Sequence, residues 1–305
     1  ACHPLIEKCF TFYATPKELR DIYKGSLVKD SYSYKYSTPD LYSNESNLNE
    51  GYKTGLSQFS EKILPDFRVR IYGDPKVDVN IANKTINFEL YENRDKVVIY
   101  DGKVDGWRIF GKSQIKRKSE LLNPRYDEHL LTSSLTIQDA TVNDLELDFS
   151  GGMLEDSINF VRTNGNISSI KIINSFQDAL DIDFSNLIID SIAIENSGND
   201  CIDLSSGNYT LVDSTLIGCA DKGISVGEKS KAMFNSVLVR NANVAFVSKD
   251  SSELIIDEGD VSNSLLCAAV YRKKQEFAGA KIKIPIDVCD DKDIFIQTNS
   301  HISFQ

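Results

Sequence analysis

Residues 157–164 read SINFVRTN, residues 179–186 read ALDIDFSN and residues 201–208 read CIDLSSGN, so one pattern recurs every 22 residues. Three further segments of the same character follow, the last of them displaced by one residue: GISVGEKS from Gly223, AFVSKDSS from Ala245 and AAVYRKKQ from Ala268. A repeat at a fixed interval takes precedence over local propensity in deciding a fold. The segments are short and alternate apolar with polar residues, which is typical of β-strands.

Two columns of mainly apolar residues run through the aligned segments and are expected to face the core. The first column holds Ile158, Leu180, Ile202, Ile224, Phe246 and Ala269, and the second holds Phe160, Ile182, Leu204, Val226, Ser248 and Tyr271. A second strand follows in each repeat, for example LIIDSIAIENS from Leu187. Repeats that consist only of short strands and polar turns are typical of a right-handed parallel β-helix. We therefore predict an all-β right-handed parallel β-helix with about 22 residues per coil.

Asparagine recurs at the end of the second strand and indicates a turn. This column holds Asn174, Asn196, Cys219, Asn241 and Asn263. Asparagine tolerates the left-handed backbone conformation that many turns require, and stacked amide side chains can hydrogen-bond along a ladder. A structural role therefore accounts for these residues.

The β-pattern begins before the clear repeat. Val77, Val79 and Ile81 alternate with polar residues, and further short apolar runs follow between Asn, Asp and Gly turns. We assign residues 76–305 to the β-helix and residues 1–75 to an irregular N-terminal cap. One short helix is predicted in this cap, where Thr15 and Pro16 form a typical helix start.

Composition narrows the choice of partners. The 305-residue chain has a formal net charge of -11, which argues against a protein that coats nucleic acid or an anionic membrane. No run of apolar residues approaches the length of a membrane span, and the first thirty or so residues lack a signal-peptide pattern. A neutral sugar, a basic polymer or a bound cation is an easier partner.

The cysteines give no metal motif. Six cysteines occur without a CxxC pair and with only three histidines, which argues against a structural zinc site. Cys2 and Cys9 are close enough to form a disulfide, and the sequence favours neither the bonded nor the free state. The other four are expected to be small buried hydrophobic side chains.

Charged residues occupy the outward positions of the first strand in each coil. One predicted column holds Asp178, Asp200 and Lys222; a second holds Asp181, Asp203 and Ser225; a third holds Asp183, Ser205, Gly227, Lys249 and Arg272. Adjacent rungs of a sheet lie about 4.8 Å apart. Carboxylates this close raise one another's pKa unless a cation compensates. The sequence leaves two outcomes open, namely an acid pair that shares a proton, or a calcium site at Asp181, Asp183 and Asp203.

This segment resembles the pectin-lyase-like β-helix proteins, and among them the polygalacturonases. Polygalacturonases carry NTD, DDC, GHG followed by LSIG, and RIK elements; here FQDALDID, GNDCIDLSSG and ADKGISVG stand where the first three would. The resemblance covers about residues 170–275. It implies that Asp178 matches the acid of NTD, Asp200 the second acid of DDC and Lys222 the histidine. Asn199 replaces the first acid of DDC, Lys249 lies near the place of the basic pair, and RIK is missing.

The chain is more similar to a group of uncharacterised bacterial β-helix proteins than to the polygalacturonases, and this resemblance runs from about Arg125 to Phe277. The shared phrases are EDSIN, DALDIDFS, GNDC, DKGISVGEKS and YRKK. This similarity implies the fold and no particular activity.

Our first functional hypothesis is an enzyme that cleaves or modifies a polysaccharide, which favours a secreted or cell-surface location. Its candidate catalytic residues are Asp178, Asp200, Asp203 and Lys222, and its candidate substrate-binding residues are Asp181, Asp183, Asn199, Lys249, Tyr271, Arg272 and Lys273. Hydrolysis with inversion requires two carboxyl groups about 6.5–9.5 Å apart. In elimination or epimerisation, Lys222 or Lys249 would abstract a proton beside a uronate carboxyl group that calcium neutralises.

The second hypothesis is a non-catalytic module of a larger surface or assembly protein. Its acids would bind glycans or cations, and the altered DDC element and missing histidine favour it. Two aromatic residues stay ambiguous, because Tyr271 and Trp107 can stack on a sugar or, more commonly, pack in the core.

Overall fold

The computed structural model describes residues 2–3, 8–9, 59–115, 130–289 and 293–305, the first two pairs by backbone alone. It divides the chain into a small unit, Ala1–Gly55, and a large unit, Leu56–Gln305. Its elements are a 3₁₀ turn at Ile286–Cys289 and the strands β1 Cys2–His3, β2 Lys8–Cys9, β3 Phe59–Ile63, β4 Arg68–Tyr72, β5 Lys76–Asn80, β6 Thr85–Leu90, β7 Lys96–Asp105, β8 Arg108–Ser113, β9 Ser133–Ser150, β10 Asp156–Val161, β11 Asn164–Ser175, β12 Asp178–Asp183, β13 Asn186–Ser197, β14 Ile202–Ser205, β15 Asn208–Gly227, β16 Lys231–Lys249, β17 Glu253–Ser262, β18 Leu266–Tyr271, β19 Lys281–Ile284, β20 Ile294–Ile296 and β21 His301–Phe304.

Parallel coils stacked in constant register form the body of the large unit. Asp156 lies opposite Asp178 in the β10–β12 pair, and Leu180 lies opposite Ile202 in the β12–β14 pair, so each step along the stack is 22 residues. The second strands keep the same step, because β11 pairs with β13 and β13 with β15. These pairings confirm the predicted all-β fold of stacked parallel coils.

The predicted apolar columns form the core. The first column is fully buried from Ile158 to Phe246, and the second is fully buried from Phe160 to Val226. Burial of one such side chain contributes about 1.5–3 kcal/mol. Each coil rests on its neighbours, so the stack is stabilised mainly by contacts between adjacent coils.

The last rung differs from its prediction. Phe246 lies opposite Ala268 and Lys249 lies opposite Tyr271, so the 22-residue step continues without the expected displacement. Val270 therefore follows Ser248 in the inward column, and Tyr271, not Arg272, follows Lys249 in the outward column. The one-residue displacement predicted for the last segment is therefore wrong, because the ladder between β16 and β18 keeps the 22-residue register.

The turn column is confirmed for its asparagines and corrected in one coil. Asn174, Asn196, Asn241 and Asn263 all have positive φ, between 54° and 62°. Asn196 also donates its side-chain amide to Asn174 at 3.2 Å. In the coil between, Gly218 and not Cys219 adopts positive φ, because glycine has no Cβ to clash in this conformation.

The cysteines contradict their assignment as free buried side chains. Cys201 bonds to Cys219 and Cys267 bonds to Cys289, at sequence separations of 18 and 22 residues. Residues about one coil apart become neighbours when coils stack, and this brings each pair together. In the small unit Cys2 lies opposite Cys9 in the antiparallel β1–β2 pair. Their side chains lie outside the described part, and their disulfide stays a prediction.

The N-terminal part of the large unit mixes two kinds of pairing. β3 pairs antiparallel with β4, and β4 pairs antiparallel with β7, so strands before residue 76 join the same sheet system. β7 then pairs parallel with β9, where the regular stack begins. Val77 and Val79 lie in β5 as expected, but Ile81 lies in the following turn and is exposed. The predicted helix at Thr15 and Pro16 falls outside the described residues.

Within the described ranges, no helix has the length and apolar character needed to cross a membrane.

Candidate active site

Three aspartates from two neighbouring coils converge on the outward face of the first strands. Asp178 begins β12, Asp200 precedes β14 and Asp203 lies in β14. One oxygen of each carboxyl group lies within 4.8 Å of the other two. This separation is shorter than the 6.5–9.5 Å expected for an inverting pair.

Asp178 is a buried carboxyl group that accepts two hydrogen bonds. Its Oδ1 accepts hydrogen bonds from the side-chain amide of Asn199 at 2.7 Å and from the backbone N–H of Asp200 at 2.8 Å. Burial, followed by the charges of Asp200, Asp203 and Asp156, raises the pKa of Asp178 well above its usual value. Asn199 is therefore a neutral donor at the position where the resemblance implied an acid.

Asp203 has the opposite electrostatic balance. Both of its carboxylate oxygens lie 3.3 Å from the ammonium group of Lys249. Burial acts to raise the pKa of Asp203, but the charges of Lys249, Lys222 and Lys273 outweigh burial and hold this pKa below its usual value. The side chain of Asp203 is 24% exposed, compared with 3% for Asp200, so Asp203 is the more accessible carboxylate.

Asp200 and Lys222 form a buried ion pair that includes Asp221. The ammonium group of Lys222 lies 3.0 Å from Asp200 and 2.7 Å from Asp221. Burial lowers the pKa of Lys222, but these two carboxylates outweigh it and raise the pKa well above its usual value. Burial raises the pKa of Asp200, and Lys222 opposes that shift. Lys222, for which the resemblance implied a histidine, is therefore a cation at neutral pH.

Asp178 and Asp200 also cap the backbone. Asp178 accepts the N–H of Asp200, and Asp200 accepts the N–H of Lys222 at 3.1 Å. Each acid of this column thus bonds the backbone of the next coil. The turn-capping role is present together with the clustering of the carboxyl groups.

Lys249 reaches back over two rungs. Its ammonium group contacts Asp203 and donates to the hydroxyl of Ser225 at 2.7 Å. Burial lowers the pKa of Lys249, but Asp203, Tyr271 and Asp200 together outweigh burial and raise this pKa to about 12. The group stays protonated at neutral pH and compensates the charge of Asp203.

The cluster of acids in the structure differs from the calcium site that the sequence left open at Asp181, Asp183 and Asp203. In the described part of the chain, the acids that approach within coordinating distance are Asp178, Asp200 and Asp203, and Asp181 and Asp183 are not among them. Lysine ammonium groups already contact Asp200 and Asp203. A calcium ion would have to compete with both of these internal cations.

Asp181 is buried, which excludes a fully solvated strand face at this position. Only 9% of the residue is exposed, and the amide of Asn159 donates to its Oδ2 at 3.4 Å. Burial, then the charges of Asp156, Asp183, Asp203 and Asp178, raises its pKa well above the usual value. Asp183 is only half-buried.

Tyr271 closes the C-terminal side of the cluster. Its ring packs on Val247 and Ala269, and lies 6.4 Å from the ring of Phe295. The residue is 6% exposed, and its hydroxyl finds no hydrogen-bond partner in the described part of the chain. Burial raises the pKa of Tyr271 to about 12, against the charges of Lys222 and Lys249. The phenol is therefore neutral and has a free hydrogen-bond donor.

Arg272 and Lys273, the two predicted contacts that follow Tyr271 in the chain, are both exposed. The charge of Lys249 lowers the pKa of Lys273. Trp107, the second aromatic candidate, lies elsewhere. Trp107 packs edge-on against Phe67 at 4.9 Å and is buried in the core.

Three polar residues of the site were not among the predicted site residues. Asp221 contacts Lys222, Ser225 contacts Lys249, and Asn159 contacts Asp181. Ser225 shares a column with Asp203, so the repeat alone could have identified it. Asp221 precedes Lys222 in the chain, but nothing in the sequence indicates that its side chain turns toward the same lysine.

No family model, no curated protein and no solved structure matches this chain. The parallel β-helix is supported by the structure, and the resemblance to polygalacturonases stays a prediction.

Proposed function

We propose that this protein is a carbohydrate-active enzyme that hydrolyses a polysaccharide, with Asp178 as the general acid and Asp203 as its carboxylate partner. One observation carries the proposal. The two carboxyl groups approach within 4.8 Å, and their environments shift their pKa values in opposite directions. A pair with divergent pKa values is the usual arrangement for acid–base catalysis by two carboxyl groups.

The reaction assigns a distinct role to each group. Asp178 donates its proton to the glycosidic oxygen as the bond to the anomeric carbon breaks. The short separation resembles the approximately 5–5.5 Å of retaining glycosidases, so Asp203 would attack the anomeric carbon directly. Asp178, now ionised, would then take a proton from the water that releases the sugar from Asp203. On this scheme the product keeps its anomeric configuration.

Elimination and epimerisation fit the site less well. Both require an unprotonated base beside the uronate carboxyl group, and the candidate bases were Lys222 and Lys249. The pKa of Lys222 is raised well above its usual value and that of Lys249 to about 12. Both lysines are therefore cations at neutral pH, and neither is available to abstract a proton.

The alternative is a binding module without catalysis, and the ion pairs favour it. The ammonium groups of Lys222 and Lys249 each lie 3.0–3.3 Å from a carboxylate. Neutralisation of the column of acids is enough to account for this arrangement, without a catalytic role. Such a module would still bind a glycan along the same face as part of a larger surface or assembly protein.

The decisive experiment follows turnover of acidic and neutral polysaccharides by new reducing ends and by absorbance of unsaturated uronates. We expect new reducing ends without that absorbance. Asp178→Asn and Asp203→Asn should each lower the rate at least about 100-fold. The matched control is Asp190→Asn, an exposed aspartate of β13 on another face. Glycan binding without turnover, unaffected by the two site variants, would instead establish the binding module.

The two buried disulfides support an oxidising compartment for this chain, since such bonds are rare in the reducing cytosol. A secreted or cell-surface location is consistent with a polysaccharide substrate.

A further inference from the structure

We infer that Gly227 is a positioning residue for Lys249, because the missing side chain at this rung is what lets Lys249 lie back across the coil and reach Asp203. The inference rests on the proposed function only in assigning Asp203 a role in the reaction. The geometric part concerns three residues of one face and is independent of any substrate.

The aliphatic part of Lys249 occupies the space that a side chain at Gly227 would fill. A Cβ built on Gly227 would lie 2.7 Å from Cε and 3.2 Å from Cγ of Lys249, which are distances that real Cβ atoms do not tolerate or barely tolerate. The ammonium group beyond this crossing donates to Ser225 and contacts Asp203, two rungs back in the stack. Lys249 is 5% exposed along this path.

The backbone does not require glycine at this position. Gly227 is absent from the residues with positive φ in the described chain, and it ends the regular strand β15. The preceding members of its column, Asp183 and Ser205, both carry side chains at the equivalent rung. Glycine weakens a strand and often marks a close approach by another group. Here the group is the stem of Lys249.

The consequence for Asp203 follows from the surrounding charges. The groups that act on it are the cations Lys249 from β16, Lys222 from β15 and Lys273 after β18, and the acids Asp178, Asp181 and Asp200. Lys249 makes the contact with both oxygens of Asp203, so its displacement leaves the neighbouring acids less compensated. The carboxyl group of Asp203 would then ionise at higher pH.

The test is Gly227→Ala, whose new methyl group has its three nearest contacts in the flexible stem of Lys249. We expect the NMR titration of the Asp203 carboxyl carbon, assigned with Asp203→Asn, to move up by about one pH unit in substrate-free protein. If the protein turns over a glycan, the acid limb of its pH–rate profile should move equally. The control is Gly259→Ala, also a strand glycine without positive φ, where the nearest contact is 3.2 Å from Val288.

A double-mutant cycle separates positioning from general strain. In a Lys249→Met background, Gly227→Ala should produce no further shift, because methionine has no ammonium group that could be withdrawn from Asp203. An unchanged Asp203 titration in folded Gly227→Ala, or an equal shift in both backgrounds, would overturn the inference. Gly227→Ser, which matches Ser205 one rung earlier, provides a second variant should the alanine variant fold poorly. The titration needs no substrate, so a failure to find a glycan substrate does not affect its outcome.

Discussion

Lys222 contacts Asp200 twice, through its backbone N–H at 3.1 Å and through its ammonium group at 3.0 Å. The carboxylate of Asp200 therefore accepts a hydrogen bond from the backbone between two coils and also pairs with the nearest cation of the site. Removal of either partner affects the fold and the chemistry together, and stability has to be measured beside activity.

Lys222→Met should destabilise the protein by about 3–5 kcal/mol at pH 7, because Asp200 would stay buried without its cation. Urea denaturation followed by circular dichroism measures this loss. Lys171→Met, at an exposed lysine of β11, is the control and should change stability by less than about 0.5 kcal/mol. Equal effects of the two substitutions would show that the buried pair is not needed to compensate Asp200.

Asp181→Asn should remove part of the dependence of stability on pH. The folded pKa of Asp181 is raised above the unfolded value of about 3.9, so the folded state binds more protons between these two values. The contribution of Asp181 to wild-type stability should therefore fall as pH rises above about 4, and the variant should lack this loss.

The measurement for Asp181 is the free energy of unfolding at several pH values between about 4 and 7. The stability of the wild type relative to the variant should fall steadily from about pH 4 upward, because Asp181 ionises increasingly in the unfolded wild type above its pKa of about 3.9. Parallel pH profiles for the two proteins would contradict the raised pKa of this carboxyl group.

Tyr271→Phe should leave the free protein as stable as wild type or slightly more stable, since the hydroxyl it loses is buried without a partner. Substrate affinity should fall if that hydroxyl donates to a bound glycan, as we predict. Urea denaturation and the KM for the polysaccharide are the two measurements. Loss of stability with unchanged KM would mean that the hydroxyl has a structural partner.

Removal of the Cys201–Cys219 disulfide by a double Cys→Ser substitution should cost about 3 kcal/mol, as expected for a loop of this length. The comparison is denaturant unfolding of the oxidised wild type and the double variant. Thiol titration under denaturing conditions gives an independent check, because Cys201, Cys219, Cys267 and Cys289 should contribute no free thiol in protein from an oxidising compartment. Four reactive thiols from these positions would refute both bonds.

The fold was predictable because the 22-residue interval is visible in the chain itself. Apolar residues at Ile158, Leu180 and Ile202 recur at the same place, and a parallel ladder imposes the same step on their hydrogen bonds. The last rung was misplaced because Ala268, Ala269 and Val270 are all small and apolar. Side-chain character cannot distinguish two registers when adjacent residues are alike.

The sequence predicts which site residues lie on successive rungs, but it does not predict which of their side chains contact one another. The repeat places Asp178, Asp200 and Lys222 on successive rungs, yet it contains no information on which lysine meets which acid. Lys249 pairs with Asp203 two rungs away, a choice that depends on rotamers and on the space above Gly227. The two disulfides were not predicted, because each joins cysteines about one coil apart in sequence and no short cysteine motif marks such a pair.

The Cys267–Cys289 bond has a mechanical consequence. A stack in which each coil contacts only its neighbours would peel apart one coil at a time when it is pulled from one end. This bond closes a covalent loop around the coil that contains β18, near the C-terminal side of the stack. Tension from that side would pass through the bond from Cys289 to Cys267, so the residues enclosed by the loop would not be stretched when the coils outside it are pulled apart.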